Sequence, residues 1–151
     1  MIQGLLVTID KQTIKGRRRA RKIALQAIYQ RLVSKTELTE IEAQFRAIHG
    51  VDKVDFEYFN RLFYGVDQLQ TQLDEALLPF LDRPIGNVNL IELAVLRLGA
   101  FELTEILEIP YRVVLDESVN LAKTFGSQDG HRYVNGVLNN LAKKIRATEI
   151  D

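Results

Sequence analysis

The 151-residue chain contains no cysteine. Disulfides, zinc–thiolate centres and thiol nucleophiles are therefore excluded. Histidine is scarce as well: His49 and His131 are the only two, and neither has a second histidine at metal-ligand spacing. That pattern argues against a catalytic zinc and against a Ser-His-Asp triad. Also missing are strand-type alternation, internal repeats and low-complexity segments. The stretch Met1–Ile9 is briefly apolar, but it has no basic flank or cleavage site and is too short to span a bilayer. A cytoplasmic protein with no membrane segment is expected. With 46% hydrophobic and 26% charged residues, the composition is that of a globular domain long enough to bury a sizeable core.

What the chain does have is an uneven distribution of charge. It carries 20 basic and 20 acidic residues, yet nine of the cations fall between Lys11 and Lys35, and no Asp or Glu lies between Asp10 and Glu37. Eleven cations are left elsewhere to set against all 20 acids. The densest part is Lys15-Gly16-Arg17-Arg18-Arg19-Ala20-Arg21-Lys22. A neutral protein with its positive charge gathered at one place suggests a polyanionic partner. If the run opens a helix, its charges sit at the positive end of the helix dipole, where each costs ~0.3–1 kcal/mol. The bland alternative is a solvated basic helix end.

Periodicity of 3.6 residues predicts an all-α fold. A first helix is expected from about Arg17 to Val33, with Ala20, Ala24, Ala27 and Arg31 on one side and Arg18, Lys22, Leu25, Tyr29 and Leu32 on another. Tyr29 is either core or an exposed aromatic contact. Thr39 and Glu42 have the spacing of a capping box, followed by Ile41, Phe45 and Ile48, with Gly50 as a stop. Asp52 is expected to open a long third helix ended by Pro79, with Gly65 marking a close approach. Arg83-Pro84-Ile85-Gly86 reads as the internal boundary. Asn89 and Glu92 resemble a cap for a fourth helix, and Pro110 can begin a fifth, closed by Gly126. Asp129 is a natural N-cap for the last helix, in which Gly136 again suggests close packing.

No phosphate-binding loop, dinucleotide fingerprint, HExxH or GxSxG motif occurs. The carboxylate pairs Glu102/Glu105 and Asp116/Glu117 read as solvated helix faces, and no enzymatic activity is expected. A second basic cluster closes the chain: Lys123, Arg132, Lys143, Lys144 and Arg146, with Asp129 the only acid between its ends and Tyr133 among them. Cations beside an aromatic suit single-stranded RNA, whose unstacked bases lie on rings. The alternative is lysine placed for solubility.

The run Gly16–Lys22 followed by Ala24-Leu25-Gln26-Ala27-Ile28-Tyr29 resembles the opening helix of the NusB transcription antitermination factors. Ile91–Leu103, Ile109–Val119, Leu121–Gly126 and Tyr133–Leu138 agree with that family in the same order, so the resemblance covers roughly Lys15 to Arg146. It implies an all-α fold of two small helical bundles packed across each other, a single domain over residues 15–151 whose sub-bundles meet near 81–88. Residues 1–14 are an N-terminal extension left unassigned. It also implies function: binding of single-stranded boxA RNA together with the ribosomal protein NusE, and action with other Nus factors on RNA polymerase in ribosomal RNA operons, without catalysis, metal or cofactor. By resemblance the RNA-contacting residues are Arg17, Arg18, Arg19, Arg21, Lys22, Asp129, Arg132 and Tyr133. Tyr29 and Glu92 fall on the NusE-facing side, with a plain capping role as the alternative for Glu92. Two departures stand out: Gly130 where a serine is common, loosening the loop beside Asp129, and Tyr133 where phenylalanine is common. The competing readings are a non-catalytic protein-interaction module or homodimer, and the NusB-like RNA-binding domain of a ribosomal RNA methyltransferase, for which this sequence would supply only the RNA-binding half.

Overall fold

Apolar residues recur at helical spacing along almost the whole chain, and the computed structural model is built from helices accordingly. It describes the backbone of residues 2–50 and 52–150 and the side chains of 14–50 and 52–150. Among these residues there are seven α-helices and no strand: α1 (Ile2–Ser34), α2 (Leu38–Ile48), α3 (Phe56–Gln68), α4 (Gln70–Leu77), α5 (Leu90–Glu105), α6 (Tyr111–Phe125) and α7 (Gly130–Ile145). Single 3-10 turns at Leu78–Phe80 and Ile85–Asn87 occupy the stretch between α4 and α5. The chain divides into two compact units, Met1–Tyr64 and Gly65–Asp151.

In the first unit, Ala20, Ala24 and Ala27 of α1 are wholly buried, as the alanine stripe requires. Around them pack Ile41 and Phe45 of α2 and Phe56, Phe59, Leu62 and Phe63 of α3. Phe59 is the hub, with ring centroids 6.1 Å from Phe45, 5.6 Å from Phe56 and 5.5 Å from Phe63. Each such side chain contributes ~1.5–3 kcal/mol by leaving water.

Three local expectations are corrected here. The helix that carries the arginines begins at Ile2, not near Arg17. Lys15–Lys22 therefore lies well inside α1, and the dipole penalty, confined to the first turn, does not apply. The capping box at Thr39 does not form. α2 starts earlier, after Glu37, with no side-chain cap, because Lys35 in the left-handed region (φ 56°) ends α1 and leaves only a short link. Freed from capping, Glu42 accepts hydrogen bonds from Arg46 Nε at 2.8 Å and Tyr64 Oη at 2.6 Å. The third helix opens at Phe56, where Asp55 Oδ1 accepts from the Tyr58 amide at 3.0 Å, and its long pattern is interrupted at Leu69 before α4 resumes it.

The Tyr64–Glu42 contact gives a pH-dependent stability. The Tyr64 hydrogen bond holds the Glu42 carboxyl below its ordinary range, while burial and then Glu42 push the Tyr64 phenol up to about 12. A depressed carboxyl stabilises the fold above its unfolded pKa, and the contribution fades as pH falls through the folded value. Tyr64→Phe should cost about 1–2 kcal/mol at neutral pH, as for a hydrogen bond to a charged acceptor. Denaturant titrations of both proteins should show the difference shrinking in acid. An equal difference at pH 7 and pH 3 would remove the contact from the pH dependence.

The second unit is organised on α5, which is buried from Glu92 to Leu103 and packs against α4, α6 and α7. Asn89 caps it as expected, accepting from the Ile91 amide at 2.9 Å and the Glu92 amide at 3.3 Å. Gly65 does mark a close approach, since a Cβ there would collide with the Phe101 ring. Gly136 does not: nothing lies near the Cβ it lacks. Arg97, buried within α5, forms a two-pronged pair with Asp74, Nε to Oδ1 at 2.8 Å and Nη2 to Oδ2 at 2.9 Å. Arg146, only 4% exposed, ends α7 inside the unit. Its guanidinium donates to the carbonyls of Leu103 (2.9 Å), Ile109 (2.9 Å), Ile106 (3.2 Å) and Glu102 (3.4 Å) at and beyond the end of α5, the last two of which also accept from the Ile109 and Ile106 amides.

Candidate nucleic-acid interface

On α1 the helical period separates the basic run into layers. Lys15, Arg18, Arg19 and Lys22 are exposed, Arg17 is half-buried, and Arg21 is only 5% exposed. Arg17 and Arg21 stand one turn apart over the buried ring of Tyr58 from α3, their guanidinium carbons 4.6 and 5.5 Å from its centroid. Arg19 donates to the Lys53 carbonyl at 3.0 Å. The exposed strip continues from Lys22 to Tyr29, which is 37% exposed, and on to Val33. Tyr29 is thus a surface aromatic.

The second unit carries the other expected residues. Asp129 holds the N-cap position of α7, but its side chain makes no capping bond and is exposed. Arg132 is exposed and joins Lys123, His131, Asn135 and Asp116 around a shallow cleft of about 490 Å³. Tyr133 is half-buried, and the Arg83 guanidinium lies over its ring at 4.4 Å. Arg83 is in turn gripped by Asp82, Nε to Oδ1 at 2.6 Å and Nη2 to Oδ2 at 3.1 Å, which holds the Asp82 carboxyl below its ordinary range. The Tyr133 hydroxyl is buried without a hydrogen-bond partner; burial and then the Asp82 charge raise its pKa. Arg146, counted in sequence with this basic cluster, belongs to the core instead.

Glu92 is 6% exposed, not on an open face. Its carboxylate lies under the loop before α7, where Ser127 Oγ is 3.4 Å from Oε2. A Cβ on Gly130 would come within 2.8 Å of Glu92 Cδ. Gly130 has no positive φ, so its role is room for the acid, not looseness. The carboxylate pairs divide likewise: Glu102 and Glu117 are buried while Glu105 and Asp116 are exposed. Sequence reasoning missed Arg83, which looked like part of a turn, and the polar residues Asn60, Arg61 and Tyr64 on α3. Each group is completed by one distant residue that no local pattern marks, Tyr133 for Arg83 and Arg17 for the α3 residues, whose cleft it lines.

Among the described residues no cluster of His, Asp or Glu could hold a metal, and no helix is long and apolar enough to cross a membrane. Helices among the described residues, with exposed cations beside aromatic–guanidinium stacks, define an all-α protein with a basic surface on its first helix. The family model of the NusB family matches residues 18–143, and the chain belongs to that family. The transcription antitermination protein NusB of Legionella pneumophila (strain Corby) is 62% identical over 142 residues, 94% of this chain and 97% of its own. Its counterpart in Pseudomonas syringae pv. tomato is 50% identical over 142 residues, covering 94% and 86%. The family is one of antitermination factors and not of enzymes. Among solved structures, T. maritima NusB matches with a TM-score of 0.75 at 26% identity, covering 85% of this chain and 91% of that one. A crystal structure of antitermination factors NusB and NusE in complex with dsRNA shares the fold, with a TM-score of 0.78 at 23% identity over 85% and 96%.

Proposed function

We propose that this chain is a cytoplasmic RNA-binding antitermination factor that acts without catalysis or cofactor. In this reading it binds boxA-type nascent RNA together with NusE, joins other Nus factors on RNA polymerase, and favours antitermination in ribosomal RNA operons. The observation that carries it is the outward strip Lys15, Arg18, Arg19 and Lys22 on one helix of a neutral chain. Guanidinium and ammonium groups spaced along a helix match a phosphate backbone and give affinity without sequence information. The relatives named as antitermination proteins, and the fold shared with a NusB that was crystallised with NusE and RNA, support the same reading. Asp129, Arg132 and Tyr133 are assigned to the RNA surface of the second unit, with Arg83 already stacked on one face of Tyr133. Tyr29 is assigned to the NusE side; Glu92 in its tucked position supports the loop before α7.

The test is titration with single-stranded boxA-type RNA, and with a duplex of the same sequence, across a salt series with and without NusE. On the single strand, log affinity should fall linearly with log salt, at a slope of about −0.7 per phosphate neutralised. NusE should tighten binding. An affinity flat in salt, or equal for an unrelated RNA, overturns the reading.

A further inference from the structure

Tyr133 is the aromatic assigned to the RNA surface of the second unit, yet little of it is free to meet a base. Its hydroxyl is buried, beyond the reach of a ligand in solvent. One face of its ring carries the Arg83 guanidinium, 4.4 Å from the centroid. Tyr133 comes from α7 and Arg83 from the link between the two 3-10 turns ahead of α5, so the stack joins two separate segments of this unit.

The guanidinium is gripped as well as stacked. Asp82 accepts two hydrogen bonds along one edge, from Nε at 2.6 Å and from Nη2 at 3.1 Å. A planar fork held edge-on by a carboxylate and face-on by a ring is ordered before any ligand arrives. Its side chain is nevertheless 42% exposed. With one face on Tyr133 and one edge on Asp82, the part left to solvent is the opposite face and Nη1. Charge narrows what that part can hold. The hydrogen bonds to Asp82 raise the Arg83 pKa, and the Glu92 charge acts in the same sense. Two acids around one cation leave no positive surplus to draw in a phosphate. A flat cation whose charge is already met suits a π face instead, and unstacked bases do lie on guanidinium planes.

We propose that Arg83 is the stacking platform for one unstacked base of the bound RNA, which lies on the outer face of the guanidinium while Tyr133 supports the inner one. The inference rests on the RNA-binding reading and deepens it. Base stacking moves one layer outward, from the aromatic to the arginine it carries. Such a platform accepts any base, because every base has a π face.

The test is titration of boxA-type RNA, intact and with a single abasic site at each position in turn, across a salt series. The proteins are the unmodified chain, Arg83→Lys and Arg83→Ala. Position 83 is exposed, and circular dichroism checks that both variants keep their helices. Lysine keeps the charge and loses the plane. Arg83→Lys should bind intact RNA roughly tenfold more weakly with an unaltered salt slope, and Arg83→Ala at least as weakly. One abasic position should cost the unmodified protein a similar factor and cost Arg83→Lys little more. Where Arg83→Ala loses helix content, Arg83→Lys, which still pairs with Asp82, carries the test. If Arg83→Lys binds like the parent while Arg83→Ala binds weakly, charge is at work and not the plane, and the inference is wrong. If Arg83→Ala binds as well as the parent or more tightly, the arginine only covers a ring that reads the base itself. If the lysine and abasic losses multiply at every position, no base lies on residue 83. In each of these cases salt-dependent binding by the unmodified protein keeps the broader reading. If that binding is absent, both fall together.

Discussion

Arg146→Ala is expected to lower the stability of the protein by about 3–5 kcal/mol, the scale of removing one partner from a buried charged network. The guanidinium meets four main-chain carbonyls around the end of α5, and Glu149 as well, whose Oε2 accepts from Nη1 at 2.6 Å. Alanine leaves the Leu103 and Ile109 carbonyls without this donor, while those of Glu102 and Ile106 keep backbone amides, and each unmet group costs ~1–3 kcal/mol. The loss spreads further, because Glu149 Oε1 accepts from the Tyr111 amide at 2.7 Å, at the first turn of α6. One arginine thus fastens the end of one helix and, through an acid, the start of the next. Urea denaturation followed by circular dichroism checks this, and the midpoint should move with little change in slope. Arg146→Lys should recover only part of the loss, since an ammonium cannot span the carbonyls that a planar fork reaches. An alanine variant as stable as the parent would show that the carbonyls find other donors.

The second large effect concerns binding. Replacing Arg18, Arg19 and Lys22 together by alanine should weaken boxA-type RNA binding roughly 100-fold at 0.1 M salt and flatten the log–log salt slope by about 2, if each neutralises one phosphate. All three are exposed, and the largest expected structural cost is the Arg19 hydrogen bond to the Lys53 carbonyl, ~0.5–1.5 kcal/mol, too little to unfold the protein. The loss therefore cannot be blamed on unfolding, and fluorescence anisotropy across a salt series measures both quantities. A drop below about threefold would mean that the outward strip of α1 does not follow the RNA backbone.

Much of the helical plan is legible in the sequence because its signals are local. Asn89 caps α5, Gly126 follows α6, and most of the stripe of α7 can be counted off directly, whereas Val113, which the period places on the buried side of α6, is exposed. The failures have a common physical cause. Thr39 and Glu42 look like a capping box until Tyr64 and Arg46, the second of them one turn away and the first from α3, take up the carboxylate. Arg146 looks like its neighbours Lys143 and Lys144, yet it stands one turn beyond Ala142 and two beyond Leu138, on the buried stripe of α7. That spacing was a usable sign that it points inward. Arg21 gives a similar one, a single turn before buried Leu25. The cleft around Asn60 had no such sign, since Arg17, which lines it, stands more than 40 positions earlier in the chain.

Gly130 and Glu92 share one small volume beneath the loop that leads into α7. With hydrogen at position 130 the acid folds inward beside Ser127. A side chain as small as serine would claim the space that the end of Glu92 now fills, and the carboxylate would have to move. Where this carboxylate comes to rest is therefore decided by a residue that contributes no side chain of its own.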